Sequence, residues 1–150
     1  MNRDRSQETR RRAGERGHAV IEVSLLGPWI LFLFMGVFDF GFYSYAIIAT
    51  QNAARIAALH TSSSLESAAD QSGACYYGMG EMRTLPNIGS SLNSCSSLPV
   101  VITAQSVTGA DGAPATRVTV TYQTVPLFPI PGLTGRLTLT RVVEMRAKQD

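Results

Sequence analysis

The sequence predicts an α+β protein, in which a long N-terminal transmembrane helix continues into a small extracytoplasmic domain with a three-stranded antiparallel sheet. A long apolar run near the N-terminus and an arginine-rich stretch before it predict the anchored helix. Segments near the C-terminus alternate apolar and polar residues, which is the period of a half-buried strand. The chain has 150 residues. Setting the membrane segment aside leaves about 100 residues to form a soluble core.

Residues 1–17 are predicted to be a cytoplasmic leader. Every basic residue before the apolar run is an arginine: Arg3, Arg5, Arg10, Arg11, Arg12 and Arg16. Arginines beside an apolar span are retained on the cytoplasmic side, so we expect the N-terminus to stay inside. No basic residue lies between Arg16 and Arg55, and no aromatic residue is interleaved with the arginines. A nucleic-acid partner is therefore not expected.

A long helix is predicted over residues 18–60, with its transmembrane span at about residues 19–46, because about 20 mostly apolar residues cross a bilayer. Two acids, Glu22 and Asp39, lie near the ends of this span, and Pro28 is expected to kink or soften the helix. A helix of about 40 residues would be about 60 Å long, so its second half must extend into water.

The second half of this helix carries small residues at Ala53, Ala54, Ala57 and Ala58. Small side chains allow another helix to approach closely. The alanines predict either packing against a partner helix or packing against the chain's own C-terminal domain, and the sequence leaves both alternatives open.

The start of the apolar run reads Gly17-His18-Ala19-Val20-Ile21-Glu22-Val23. A basic leader, a glycine, and a glutamate at the fifth residue after it resemble the processing site of type IV prepilins. The resemblance implies that a prepilin peptidase cuts between Gly17 and His18 on the cytoplasmic side. It also implies that Glu22 pairs with the N-terminal amine of a neighbouring subunit. Pairing would offset the cost of burying either charge in lipid.

A narrower resemblance is to the TadE-like proteins, pseudopilins of the tight-adherence (Tad) pilus system. The residues that match are Gly17, Glu22, Pro28, Asp39, Phe40, Gly41, Gln51, Ala53, Ala54 and Arg55. The resemblance implies a minor pilin that takes part in assembly of a Tad pilus for surface adhesion, and it implies assembly roles for Glu22, Pro28, Asp39, Phe40 and Gly41. The implied partners are prepilin peptidase, other pilin and pseudopilin subunits, the inner-membrane assembly platform and membrane lipid. The implied location is the bacterial inner membrane or the pilus.

Residues 61–150 are predicted to form the extracytoplasmic domain. An even pair of cysteines, Cys75 and Cys95, on the outer side of a membrane predicts a disulfide. Closing a loop of about 20 residues would contribute roughly 3 kcal/mol. Two unpaired buried thiols are the alternative. The spacing is unlike the C-x-x-C pattern of redox enzymes.

Within this domain, Ser63 to Glu66 has the spacing of a capping box and predicts a short helix that ends near Gly73. The segment between the cysteines is predicted to be a loop. Three strands are predicted within residues 100–107, 116–124 and 136–146, with a turn at 109–114. The prolines of residues 125–133 exclude that segment from the centre of the sheet.

The sequence contains no catalytic set, metal-ligand cluster or nucleotide motif, so we expect neither an enzyme nor a cofactor. Three other hypotheses stay open. The chain is an uncleaved signal-anchored envelope protein whose outer domain binds a ligand. It is a secreted domain released after Ser44-Tyr45-Ala46, which has the small-x-small pattern of a signal peptidase site. Or it is an extracytoplasmic thiol enzyme.

Overall fold

The computed structural model describes residues 3–89, 94–127 and 135–149, with side chains from residue 20 onward. The elements are α1 (Arg3–Thr61), a 3₁₀ helix (Glu66–Ala69), α2 (Gln71–Met82), β1 (Ser96–Ser97), β2 (Val100–Thr108), β3 (Pro114–Gln123) and β4 (Thr138–Arg146). The chain divides into two compact units, Met1–Phe40 and Gly41–Asp150. The α+β class is confirmed.

The first unit consists of the N-terminal part of α1. The helix begins at Arg3 and continues through Pro28 without a break. Residues Val20–Thr61 form the one described helix that is long and apolar enough to cross a membrane, with a mean hydropathy of 2.0 in its most apolar window. None of that window is buried by the described residues.

The second unit contains an antiparallel sheet in the order β1-β2-β3-β4. The sheet has four strands, so the prediction of three was wrong. The missed strand, β1, is only two residues long, Ser96–Ser97. Two serines show no alternation of apolar and polar residues, and their pairing with Val100 and Val101 creates the strand.

The other three strands fall where the alternation predicts them. Val118, Val120 and Tyr122 of β3 are fully buried, whereas the residues between them are more exposed. The turn predicted at 109–114 is formed by Gly109–Ala113, and Gly112 in it has a φ of +78°, which favours glycine. Of the proline-rich segment, residues 128–134 lie outside the described residues, and Pro126 lies outside the strands.

The alanines of α1 lie in the core of this second unit. Ala53, Ala54, Ala57 and Ala58 are fully buried and belong to one hydrophobic cluster with the inward residues of the sheet. The alternative of packing on the chain's own domain is therefore the one that the fold adopts for these residues. Their small size has the same physical use in both cases, because it allows close approach of the helix backbone.

The helical segment after α1 differs from the prediction. A 3₁₀ helix at Glu66–Ala69 precedes α2, which extends to Met82 and so replaces the first part of the predicted loop. The capping box is also shifted by one residue. Ser64 and Ser67 exchange backbone-to-hydroxyl hydrogen bonds of 3.0 and 3.1 Å, in the reciprocal manner expected of Ser63 and Glu66.

Asp70 explains why α2 forms despite three glycines. Its carboxylate accepts hydrogen bonds from the backbone N–H groups of Ser72 and Gly73, at 3.1 and 3.0 Å, and so caps the helix. Burial of Ala74, Met79 and Met82 then holds one face of α2 on the core. Tertiary packing overrides the weak helix propensity of the glycines.

Candidate functional site: the N-terminal helix

The residues predicted for processing and assembly are spread along α1. Gly17 and His18 lie within the helix, Glu22 follows one turn later, and Asp39 lies close to the end of the first unit. At 1.5 Å per residue, Glu22 and Asp39 are about 25 Å apart along the axis. These residues therefore do not form a pocket, and the candidate site is a helix surface.

The exposure of the assembly residues fits that description. Glu22 and Pro28 are exposed, Asp39 is half-buried, and Phe40 is 73% exposed. A side-chain carbon added at Gly41 would meet nothing within 4 Å. Glu22, Pro28 and Phe40 are thus open to contact with groups outside the chain.

The surface around them is a continuous apolar sleeve, which we define as the exposed apolar side chains of residues 20–40. Its large members are Val20, Ile21, Val23, Leu25, Leu26, Trp29, Ile30, Leu31, Phe32, Leu33, Phe34, Val37, Phe38 and Phe40, each at least 47% exposed. Single exposed apolar residues are common, but soluble monomers rarely expose a patch of this extent. A surface that is apolar all round a helix is suited to lipid or to other apolar helices.

The residues of the TadE-like pattern farther along α1 divide between two environments. Ala53 and Ala54 are buried in the second unit, whereas Gln51 and Arg55 are exposed. Ala46, the residue before the hypothetical signal peptidase cut, is fully buried in the same core and accepts a hydrogen bond from Thr50. A cut there would divide a helix whose second half the domain uses as core.

The predicted disulfide is present between Cys75 and Cys95, whose Cα atoms are 5.7 Å apart. The alternative of two free thiols is therefore wrong. Because both sulfur atoms are bonded to each other, neither is a free nucleophile, and the thiol-enzyme hypothesis loses its reactive group. The bond ties α2 to the segment that leads into β1.

One polar cluster was not predicted from the sequence. His60 lies in the last turn of α1, its Nε2 is 3.1 Å from Oδ2 of Asp70, and its ring lies 4.5 Å from that of Tyr77. The pKa of Asp70 is well below its usual range, because the Gly73 backbone, the Ser72 side chain and His60 all hydrogen-bond to the carboxylate. An aspartate just before α2 is a capping signal, but its link to His60 depends on the fold.

This cluster connects the end of α1 to the start of α2. Among the described residues, no group of three or more His, Cys, Asp or Glu side chains could hold a metal ion. The candidate functional element is therefore α1.

Comparison with known proteins supports this focus. The family model described as TadE-like protein matches residues 17–59. The similarity to this family therefore lies in the N-terminal segment. No curated protein and no solved structure matches the chain. The TadE-like match begins at Gly17 and ends within the last turn of α1. It therefore covers the apolar sleeve and the buried alanines of α1 and leaves the strands outside it.

Proposed function

We propose that the protein is a TadE-like minor pilin, or pseudopilin, that takes part in assembly of a Tad pilus for surface adhesion. In this proposal residues 1–17 are a cytoplasmic leader, residues 18–60 anchor the chain once in the bacterial inner membrane, and residues 61–150 are extracytoplasmic. Prepilin peptidase removes the leader between Gly17 and His18.

One observation carries the proposal: the TadE-like match and the exposed apolar part of α1 coincide. The match begins at Gly17, three residues before the apolar sleeve starts. An apolar helix surface without cover from its own chain gains stability by contact with lipid or with other apolar helices. Both surroundings are those of a pilin before and after it joins an assembly.

Glu22 would act during assembly as the partner of a neighbouring subunit's new N-terminal amine. The carboxylate is exposed on α1 near the start of the sleeve. A carboxylate in lipid is costly unless a cation pairs with it, so pairing would favour entry of a correctly placed subunit. Pilin subunits, the assembly platform and lipid are thus the proposed partners, and the proposed role is structural and not enzymatic.

The intact mass and N-terminal sequence of the protein, extracted from the membranes of its host, test the processing step. We expect a mature chain that begins at His18. Gly17→Val should abolish this product, because a bulky β-branched residue hinders access to the bond. Gly14→Val is the matched control, since Gly14 lies in the same leader away from the proposed bond, and it should be processed normally.

The result separates the proposal from its main alternative. A full-length chain that begins at Met1 in both the parent and the Gly14→Val variant would identify an uncleaved signal-anchored protein. Assembly is tested separately by Glu22→Gln, which removes the charge and keeps the size. We expect this variant to be processed but lost from sheared pili, whereas normal recovery in pili would contradict the role of Glu22.

A further inference from the structure

The two edges of the sheet differ in how far their backbone groups are hydrogen-bonded. At the β2 edge, the backbone N–H of Ile102 donates to the carbonyl of Cys95 at 2.9 Å. The side chain of Gln71 donates to the carbonyl of Ile102 and accepts from the N–H of Ala104 at 2.9 Å. With β1 paired to the start of β2, this edge is closed as far as Ala104.

The β4 edge lacks such a cover over most of its length. The hydrogen bonds from Thr124 N to Leu137 O and from Ala147 N to Pro114 O show that odd-numbered residues of β4 face β3. The backbone groups of even-numbered residues must then point to the free edge, since the direction alternates along a strand. In residues 135–149 the structure places one donor on this edge, the Arg141 guanidinium, which bonds to Thr140 O at 3.1 Å.

Within the part of the chain that the structure describes, the C-terminal half of this edge is open. Among the described residues, no strand pairs with β4 except β3. Val142, Glu144 and Arg146 therefore present backbone donors and acceptors outward, and the Val142 side chain is 54% exposed. An open strand edge of this kind is a template for the addition of another extended segment.

The charge of the β4 edge indicates which kind of extended segment could add to it. Glu144 is already engaged by Arg117, with its Oε2 3.0 Å from the guanidinium. Arg141 precedes the open part, Arg146 ends it, and Arg136 lies before β4. Of these three cations only Arg146 has an ion-pair partner in the described ranges, Asp111 at 3.5 Å with both groups exposed. The edge is thus net positive, which complements an acidic strand.

We propose that the β4 edge is a docking site for an acidic extended segment of a partner protein, which adds as a fifth strand beside Val142–Arg146. Because the β2 edge is closed as far as Ala104, addition of a strand is favoured at the β4 edge. The site lies in the second unit and does not depend on cleavage at Gly17, so its failure and that of the proposed function are distinguishable.

A fluorescent peptide with the sequence Thr-Glu-Val-Thr-Val-Glu-Val-Thr is a suitable probe, titrated by anisotropy against the full chain in detergent micelles. The same peptide with Lys in place of Glu is the charge control. We expect the acidic peptide to bind and the basic peptide to bind at least about tenfold more weakly. Equal binding of the two, or no binding of either, would overturn the proposal.

Val142→Pro tests the edge itself. The Val142 N–H points away from β3, so proline removes a docking donor without removing a bond of the existing ladder. We expect about a tenfold loss of affinity, whereas Val142→Thr, which keeps the N–H, should retain affinity within about twofold. Unchanged binding to a folded Val142→Pro variant would overturn the site.

Methylating alternate backbone nitrogens of the peptide provides a second test that needs no change in the protein. Methylation on the docking side should abolish binding, whereas methylation on the other side should be tolerated.

A Val142→Cys variant that forms a disulfide-linked dimer in micelles without peptide would show that a second copy occupies the edge, and would overturn the choice of an acidic partner segment.

Discussion

The two halves of α1 have the same backbone and opposite surroundings. Between residues 20 and 40 its large apolar side chains are exposed, with Leu25 at 74%. Between residues 41 and 61 its core-facing positions are alanines and threonines that are almost fully buried, such as Ala54 and Thr61. The first half depends on an apolar environment outside the chain, whereas the second half is part of a folded domain.

Residue size, more than hydropathy, distinguishes the two halves of the helix. Large apolar residues such as Trp29 and Phe34 cover the half that the described residues leave exposed. Small residues line the half against which the chain's own sheet and α2 pack. Large side chains maximise contact with lipid, and small side chains let packed backbones approach.

Removing the disulfide should have the largest effect on the domain half and little effect on the membrane half. In a Cys75→Ser, Cys95→Ser double variant, we expect the free energy of unfolding to fall by about 3 kcal/mol. Thermal unfolding in micelles, followed by circular dichroism in the near ultraviolet, measures this change. Retention of the variant in the membrane fraction after carbonate washing is the control, and its release would contradict the separation of the halves.

Ala54→Leu should destabilise the domain by about 1 to 3 kcal/mol, because its site is fully buried and three more carbon atoms would overpack a core of this kind. Gln51→Leu, at an exposed position one turn earlier, should change stability by less than about 0.5 kcal/mol. Gly36→Leu in the first half, where a side-chain carbon meets nothing within 4 Å, should also leave the domain unchanged. Equal effects of the three substitutions on the unfolding temperature would contradict the claim that only the second half of α1 belongs to the domain core.

Two glycines of α2 provide a smaller test of packing. A side-chain carbon at Gly78 would lie 2.8 Å from Cδ1 of the buried Ile102, whereas one at Gly80 would meet nothing within 4 Å. Gly80→Ala should stabilise the domain by up to about 1 kcal/mol through helix propensity. Gly78→Ala should lose that gain and destabilise. Chemical denaturation measures both, and a stabilising Gly78→Ala would show that Ile102 yields without cost.

The smallest expected effect is on the stability of the domain at low pH. Hydrogen bonds from Gly73, Ser72 and His60 lower the pKa of Asp70 in the folded state. Its contribution to stability is therefore present above the ordinary aspartate pKa of about 3.9, and it is lost as the pH falls toward the folded-state value. Asp70→Asn should reduce the loss of unfolding temperature on acidification below about pH 4. An identical acid profile for parent and variant would contradict the capping role.

Much of this fold could be predicted because its signals are local. The apolar run before Asp39 and the alternation of Val118, Val120 and Tyr122 each encode an element without reference to the rest of the chain. The missed features depend on distant groups. β1 exists because Ser96 and Ser97 pair with β2, and α2 persists because Ala74 and Met82 are buried.

The candidate site shows the same limit. Gly17, Glu22 and Pro28 were predicted as site residues from their order along the chain, and their roles stay predictions. All three lie within the residues that the family model matches. The sequence could not determine whether the alanines of α1 pack against a partner helix or against the chain's own domain, because both kinds of packing favour the same small residues. Only the positions of the strands showed that Ala53 and Ala57 lie in the chain's own core.

Labelling of single cysteines on the two halves of α1 is the most direct test of a membrane role for the first half. Both native thiols are in the disulfide, so Leu33→Cys and Asn52→Cys each carry one free thiol at a position that is exposed in the structure. A membrane-impermeant maleimide is added to spheroplasts of the host. We predict labelling of Asn52→Cys from outside and protection of Leu33→Cys until the membrane is dissolved and the protein denatured. Equal labelling of both variants in intact spheroplasts would contradict a membrane role for the first half.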